Sequence, residues 1–272
     1  MNALVVSVGE PDIELASDAL WAIGVVAVEE RVLVGGAIEL WTSLGDDTES
    51  VTEALADFGW PWRFETIDET VSETWRLHAA PVWLADDLVV HPQWVAAPAT
   101  ARPGTDLIAI AIEPGATFGL GDHPTTMLSM LALRSVMSAD ATVLDVGTGS
   151  GVLAIAACRF GARRVDAIDI SPASVPTTRH NAEINGVSDR ISVSTTQLAD
   201  VDGIFDVVVA NILAPALIEL SNDLLRVLAP RGRLIISGIL ADNHQHVLDA
   251  LVPLLVVARG ERDGWTAITL QR

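Results

Sequence analysis

The sequence predicts an α/β chain, a doubly wound and mostly parallel sheet preceded by a small α+β unit of ferredoxin-like order. Three observations carry this. From about residue 103 short continuous apolar strands alternate with helical stretches, the pattern of parallel strands covered on both faces. The first 66 residues read β-α-β-β-α-β, the split β-α-β arrangement. Charge is also uneven: residues 1–100 hold three arginines against 18 acidic residues, net −15, and residues 101–272 hold 13 against 18, net −5. Such asymmetry suggests two units with different surfaces. The expected organisation is a domain over 1–66, a linker over 67–102 marked by Pro81, Pro92 and Pro98, and a larger domain over 103–272.

In the first unit, residues 3–8 form an apolar strand and 11–23 a helix with Ile13, Ala16 and Leu20 near helical spacing. Residues 25–30 and 31–42 read as two strands meeting near Glu30-Arg31. Residues 48–58 make a helix capped at Thr48, and 62–67 a closing strand. Within the linker, 83–94 suits a short strand or hairpin. In the second unit strands are expected at 142–146, 164–170, 190–194, 205–211 and 233–239. Helices are expected at 152–160, 172–185 and 215–228, the second with Pro172 in its first turn.

Composition narrows the function classes. Half of the 272 residues are hydrophobic and 19% charged, enough for a buried core. The net charge of −20 argues against a nucleic-acid binder or an anionic membrane surface as primary partner, since both need a basic footprint. All 16 basic residues are arginine, and there is no tyrosine. Cys158 stands alone, which excludes an internal disulfide and a multi-cysteine metal site; no metal is expected. The N-terminus lacks a basic flank, and apolar runs such as 250–258 fall short of the roughly 18 residues a spanning helix needs. A cytoplasmic, monomeric protein is the expectation.

The strongest motif is VLDVGTGSG, residues 143–151. A strand ends at Asp145, and Gly147, Gly149 and Gly151 alternate before a helix. Glycines allow a sharp turn and close approach to a ligand, and the helix start offers free N–H groups. This arrangement binds nucleotide-like ligands at the carboxyl end of a parallel sheet. A dinucleotide site has G-x-G-x-x-G; the spacing here, with Asp145 two residues ahead, is the pattern of S-adenosylmethionine enzymes, and an acidic group suits a cationic or amino-bearing ligand. Asp169 ends the next strand and can accept both ribose hydroxyls, a role shared with NAD sites. Asn211 ends the strand 205–211. Its amide oxygen can accept from an amine without holding it protonated as a carboxylate would; capping the next helix is the alternative. Residues 113–126 concentrate Phe118, Gly119, Gly121, His123, Thr125 and Thr126, which reads as a binding loop. Thr125 or Thr126 as a helix cap is the simpler reading, and His123 serves as a cap, a cofactor cover or a catalytic group.

Taken with the segments 75–94, 113–126, 143–162, 167–186, 210–220 and 228–240, these motifs resemble the ribosomal protein L11 methyltransferase family (PrmA), class I methyltransferases. The loop Phe-Gly-x-Gly-x-His-x-Thr-Thr, Asn-Ile-Leu-Ala and Ser-Gly-Ile-Leu are the specific part; Leu120 stands where the family has Thr, and Thr117 where it has Ala. The resemblance implies a Rossmann-like class I methyltransferase sheet and methyl transfer from S-adenosylmethionine to lysine side chains and the N-terminal amine of ribosomal protein L11. It assigns Thr126, Asp145, Gly147, Gly149, Gly151, Asp169 and Asn211 to the cofactor. Asn211 and His123 go to catalysis, and Phe118, Gly119, Gly121 and Thr125 to substrate or loop. It also implies that the first domain captures the substrate and swings relative to the second. Alternatives are methylation of another protein's lysine or a small amine, a dehydrogenase using the glycine loop, and a non-catalytic binding module.

Overall fold

The computed structural model describes residues 2–9, 28–33, 38–43, 59–66, 80–99, 106–113 and 121–272, with Asp12, Ile13, Ala16, Leu20 and Leu55. The chain divides into two units, Met1–Ala79 and Ala80–Arg272.

The first unit is built on four antiparallel strands: β1 (Asn2–Val8), β2 (Val28–Val32), β3 (Ile38–Ser43) and β4 (Trp62–Thr66), in the order β2-β3-β1-β4. Strand alternation sends Leu4, Val6, Val8, Ile38 and Leu40 to one face, where they pack with Ala16, Leu20 and Leu55. Those last three residues are helical, as expected of 11–23 and 48–58; the rest of both stretches lies largely outside the described residues. One boundary differs from expectation. β2 runs straight through Glu30-Arg31, and the Gly35-Gly36 pair lies between it and β3. The opposite face of the sheet is polar: Arg63 and the indole N–H of Trp41 both hydrogen-bond Glu39, and the guanidinium of Arg31 lies 4.0 Å from the Trp41 ring centroid.

The second unit starts inside the stretch expected as linker. β5 (Val82–Ala85) and β6 (Leu88–Pro92) form a hairpin, and β7 (Ile108–Ile112) adds to it in parallel. Leu88, Val90, Ile110 and Ile112 are buried in the core of the second unit, so the alternating apolar residues of 82–92 belong to its packing rather than to a connector.

The main sheet has seven strands in the order β10-β9-β8-β11-β12-β14-β13. These are β8 (Thr142–Val146), β9 (Arg164–Ile168), β10 (Ile191–Ser194), β11 (Phe205–Asn211), β12 (Leu228–Leu240), β13 (Leu255–Arg262) and β14 (Trp265–Gln271). β8 to β12 are parallel, whereas β14 enters antiparallel between β12 and β13. Alternation divides each parallel strand between two cores. Val143, Val165, Val207, Val209 and Ile235 face one core, which α2 (Val152–Arg159) covers. Leu144, Val208, Ala210, Leu234 and Ile236 face the other, under α4 (Ala214–Glu219), α5 (Ser221–Val227) and α6 (Gln245–Ala250). α1 (Pro124–Val136) and α3 (Ser174–Ile184) complete the described helices. The single helix expected at 215–228 is two, meeting at Leu220. No helix among the described residues is long and apolar enough to cross a membrane.

Candidate functional site

The carboxyl ends of β8, β9, β11 and β12 bring the predicted residues together. Between β8 and α2 the chain turns through Gly147, Gly149 and Gly151 at φ values of 76°, 55° and 83°. This left-handed region excludes most side chains. Packing adds a second constraint: a Cβ at Gly147 would stand 2.4 Å from Cγ2 of Ile212, and one at Gly151 would stand 2.8 Å from Cγ2 of Thr178.

Asp145, expected at the cofactor, lies beneath this turn and is wholly buried. Its Oδ2 accepts from the Thr148 hydroxyl at 2.7 Å and from the Ala154 amide at 3.1 Å, while Oδ1 takes no hydrogen bond among the described residues. Burial pushes the carboxyl up to about 7; the Thr148 hydrogen bond opposes the rise and the nearby Asp169 charge adds to it. Asp169 is half-buried. Its Oδ2 accepts from the Gly149 amide and its Oδ1 from the Ser171 amide, both at 2.8 Å. A carboxylate has about four acceptor sites, so each oxygen keeps one for a ligand hydroxyl. Next to it Ile170 is 92% exposed.

Asn211 closes β11, in register with Ser237 of β12. Its Nδ2 donates to the Thr126 hydroxyl at 3.4 Å, which leaves Oδ1 as the acceptor end of the amide. Thr125 and Thr126 are both buried in the first turn of α1. Neither caps that helix. The cap is His123, whose Nδ1 accepts from the Thr125 amide at 3.3 Å and lies 2.7 Å from the Thr125 hydroxyl; Pro124 at the first helical position sets the start just after it. The ring meets Trp265 edge to face at 5.2 Å, and burial lowers its pKa against a smaller upward pull from Asp122. Gly121, at φ 91°, packs on β6, where a Cβ would stand 2.8 Å from Cγ1 of Val90. Phe118 and Gly119 lie outside the described residues, as does Leu120.

Of the residues so assembled, Gly147, Gly149, Asp169, Ile170 and Asn211 reach the surface, whereas Asp145, Ser150, Gly151, Thr125 and Thr126 are buried beneath them. A glycine turn, an acidic strand end with an apolar neighbour and a neutral amide therefore line one edge of the sheet.

Comparison with known proteins decides the family. The profile described as Ribosomal protein L11 methyltransferase (PrmA) matches residues 42–272. The chain belongs to the ribosomal protein L11 methyltransferase family. A protein of that name from Geobacter metallireducens is 44% identical over 206 residues, covering 75% of this chain and 67% of the relative. One from Chromohalobacter salexigens is 38% identical over 254 residues, covering 86% and 83%. The crystal structure titled ribosomal protein L11 methylase, from Lactobacillus delbrueckii subsp. bulgaricus, superposes with a TM-score of 0.65 at 37% identity, over 71% of this chain and 98% of that one. Methyltransferase-family membership matches the strand order and the two-faced sheet.

Sequence reasoning did not single out Ile170, Thr178, Asn181 or Trp265, and it named Ser237 only within Ser-Gly-Ile-Leu, with no role. Ser237 is buried, and its hydroxyl lies 3.3 Å from the Thr125 carbonyl and 3.1 Å from that of Thr266, tying the start of α1 to β14 beside Asn211. The available signal was a lone serine within an apolar strand, ahead of Gly238, a residue at φ 85° whose Cβ would stand 2.4 Å from the Ile212 carbonyl oxygen.

Proposed function

We propose that this chain transfers methyl groups from S-adenosylmethionine to amines of ribosomal protein L11, its lysine side chains and N-terminal amine. The carrying observation is Asn211, a neutral amide with its oxygen turned away from Thr126, on the same sheet edge as the glycine turn and Asp169. The residues present fit the cofactor. Gly147 and Gly149 reach the surface without side chains, Asp169 keeps acceptor sites for ribose hydroxyls, and Ile170 offers an apolar face beside them for a base.

When bound, S-adenosylmethionine supplies a methyl group already activated on a sulfonium, so the protein's task is to position an in-line attack. Asn211 orients the incoming amine by accepting one of its N–H groups at Oδ1. The attacking nitrogen must be neutral, yet a free lysine has a pKa of about 10.4, so roughly one in a thousand is neutral at pH 7. An amide at this position does not stabilise the ammonium as a carboxylate would, and the apolar Ile212 and Leu213 that follow favour the neutral form by desolvation. Nδ1 of His123 is committed to capping α1, which supports an ordering role rather than that of a base.

Within this reading the acidic first unit captures the substrate. The surplus over residues 1–100, net −15, of which −13 lies in the first unit, complements a basic ribosomal protein and steers encounter. The protein works in the cytoplasm, where that substrate is made. The test is transfer of labelled methyl to purified ribosomal protein L11, with incorporation expected. No incorporation, while S-adenosylhomocysteine still binds, would overturn the substrate assignment.

A further inference from the structure

Helix α3 buries the wrong kind of face for a simple packing helix. Its buried residues are Ser174, Thr178, Asn181 and Ala182, whereas every buried residue of α2 is apolar or the single cysteine. A buried amide or hydroxyl is costly unless its hydrogen bonds are made. Here they are made to main chain. Thr178 donates from Oγ1 to the Gly149 carbonyl at 3.1 Å. Asn181 donates from Nδ2 to the Ser150 and Glu113 carbonyls, both at 2.8 Å, and accepts the Glu113 amide at Oδ1 at 2.9 Å. One turn later Asn185 brackets Ala111 in the same way, donating to its carbonyl at 2.7 Å and accepting its amide at 3.0 Å. Ala111 of β7 and Glu113, the residue just past its end, are alternate positions along one edge, so the two side-chain amides take the place of a neighbouring strand there.

The two asparagines differ in one respect. Asn185 holds β7 and the Asn181 carbonyl, whereas Asn181 also holds Ser150, the residue between left-handed Gly149 and Gly151. With Thr178 it fixes two successive carbonyls of the glycine turn. We infer that Asn181 is a positioning residue for the cofactor site, coupling the shape of the glycine turn to the end of β7, with Thr178 as its partner on the same helix face. The inference rests on the S-adenosylmethionine reading of the turn. Only an amide does this: an aspartate would aim a carboxylate at two carbonyl oxygens it can no longer donate to.

The experiment measures S-adenosylhomocysteine affinity by calorimetry, melting temperature and amide hydrogen exchange on the full chain and on Asn181→Ala, Thr178→Val and Asn185→Ala. Asn181→Ala should weaken affinity about tenfold or more and Thr178→Val several-fold, while Asn185→Ala lowers the melting temperature yet keeps affinity within about twofold. Equal affinity losses for Asn181→Ala and Asn185→Ala, or none for Asn181→Ala, would overturn the inference. If Asn181→Ala does not fold, Thr178→Val against Asn185→Ala carries the same comparison. Failure of the unaltered chain to bind would defeat the cofactor reading instead. Exchange then decides: faster exchange across 147–153 in Asn181→Ala or Thr178→Val but not in Asn185→Ala supports the coupling, and unchanged rates refute it.

Discussion

Asn211 and Thr126 stand 85 positions apart in the chain and meet at 3.4 Å, Nδ2 to hydroxyl, at the edge where β11 reaches the first turn of α1. That contact decides which end of the amide faces outward. Replacing Thr126 with valine keeps the shape and removes the hydroxyl, so Asn211 loses its orienting acceptor. Thr126→Val should lower kcat by about fivefold with a small change in melting temperature, because one hydrogen bond is worth about 1 kcal/mol. An unchanged kcat would show that Asn211 needs no such partner.

The His123 cap makes a different prediction. His123→Ala should destabilise the chain by about 0.5–2 kcal/mol, since it leaves a first-turn amide without its acceptor. His123→Asn, which also caps well, should restore most of both stability and activity. Burial lowers the imidazole's pKa, so any inflection in activity from this residue should lie on the acid side of its ordinary value. If asparagine restores stability but not turnover, the ring itself takes part in the reaction.

Asp145 links the glycine turn to pH. The folded chain holds the carboxyl proton to about 7, while the unfolded chain releases it near 3.8. Between those values the native state binds a proton the unfolded state has lost, so this residue's contribution to stability falls as pH rises through that window and levels off above it. Asp145→Asn should keep the oxygen that serves Thr148 and Ala154 and lose the slope. Denaturation midpoints of the two proteins from pH 4 to 8 test this; parallel curves would contradict a buried, proton-holding carboxyl.

Gly147→Ala combines a left-handed backbone with a Cβ 2.4 Å from Ile212. The conformational penalty alone is about 1 kcal/mol, and the clash adds to it. A loss of melting temperature together with weakened S-adenosylhomocysteine binding is expected. A variant as stable as the parent would mean that the turn relaxes freely.

Much of this site was legible in the sequence, and the part that was not has physical reasons. Two core strands, Thr142–Val146 and Phe205–Asn211, coincide with their apolar runs, because a strand buried on both faces has no alternative pattern to confuse it. Placing Gly147, Gly149, Asp169 and Asn211 at one edge follows from the parallel order of those strands. Asp145 is harder: its residue type says acidic, but only the packing of α2 against β8 says buried. For His123 the residue type alone fits cap, cover or catalyst, and Pro124 at the first helical position is the local signal for the cap. The hairpin at 82–92 passed for a linker because its prolines flank short strands whose burial depends on distant partners such as Ile110. The run at 250–258 holds the start of β13, an edge strand with Leu255, Val256 and Val257 exposed, so hydropathy alone gave no hint of its place beside β14.

Salt tests the role assigned to charge. If the acidic first unit steers a basic substrate, KM for ribosomal protein L11 should rise as ionic strength increases past about 0.1 M while kcat stays level. A salt-independent KM would remove electrostatic capture.

The most direct measurement is peptide mass mapping of ribosomal protein L11 after incubation with S-adenosylmethionine and either this protein or its Asn211→Ala variant. Methyl increments on lysine-containing and N-terminal peptides are predicted with the unaltered protein. With the variant they should form roughly a hundredfold more slowly. Unmodified ribosomal protein L11 with the unaltered protein, or equal rates for the two, would contradict the account.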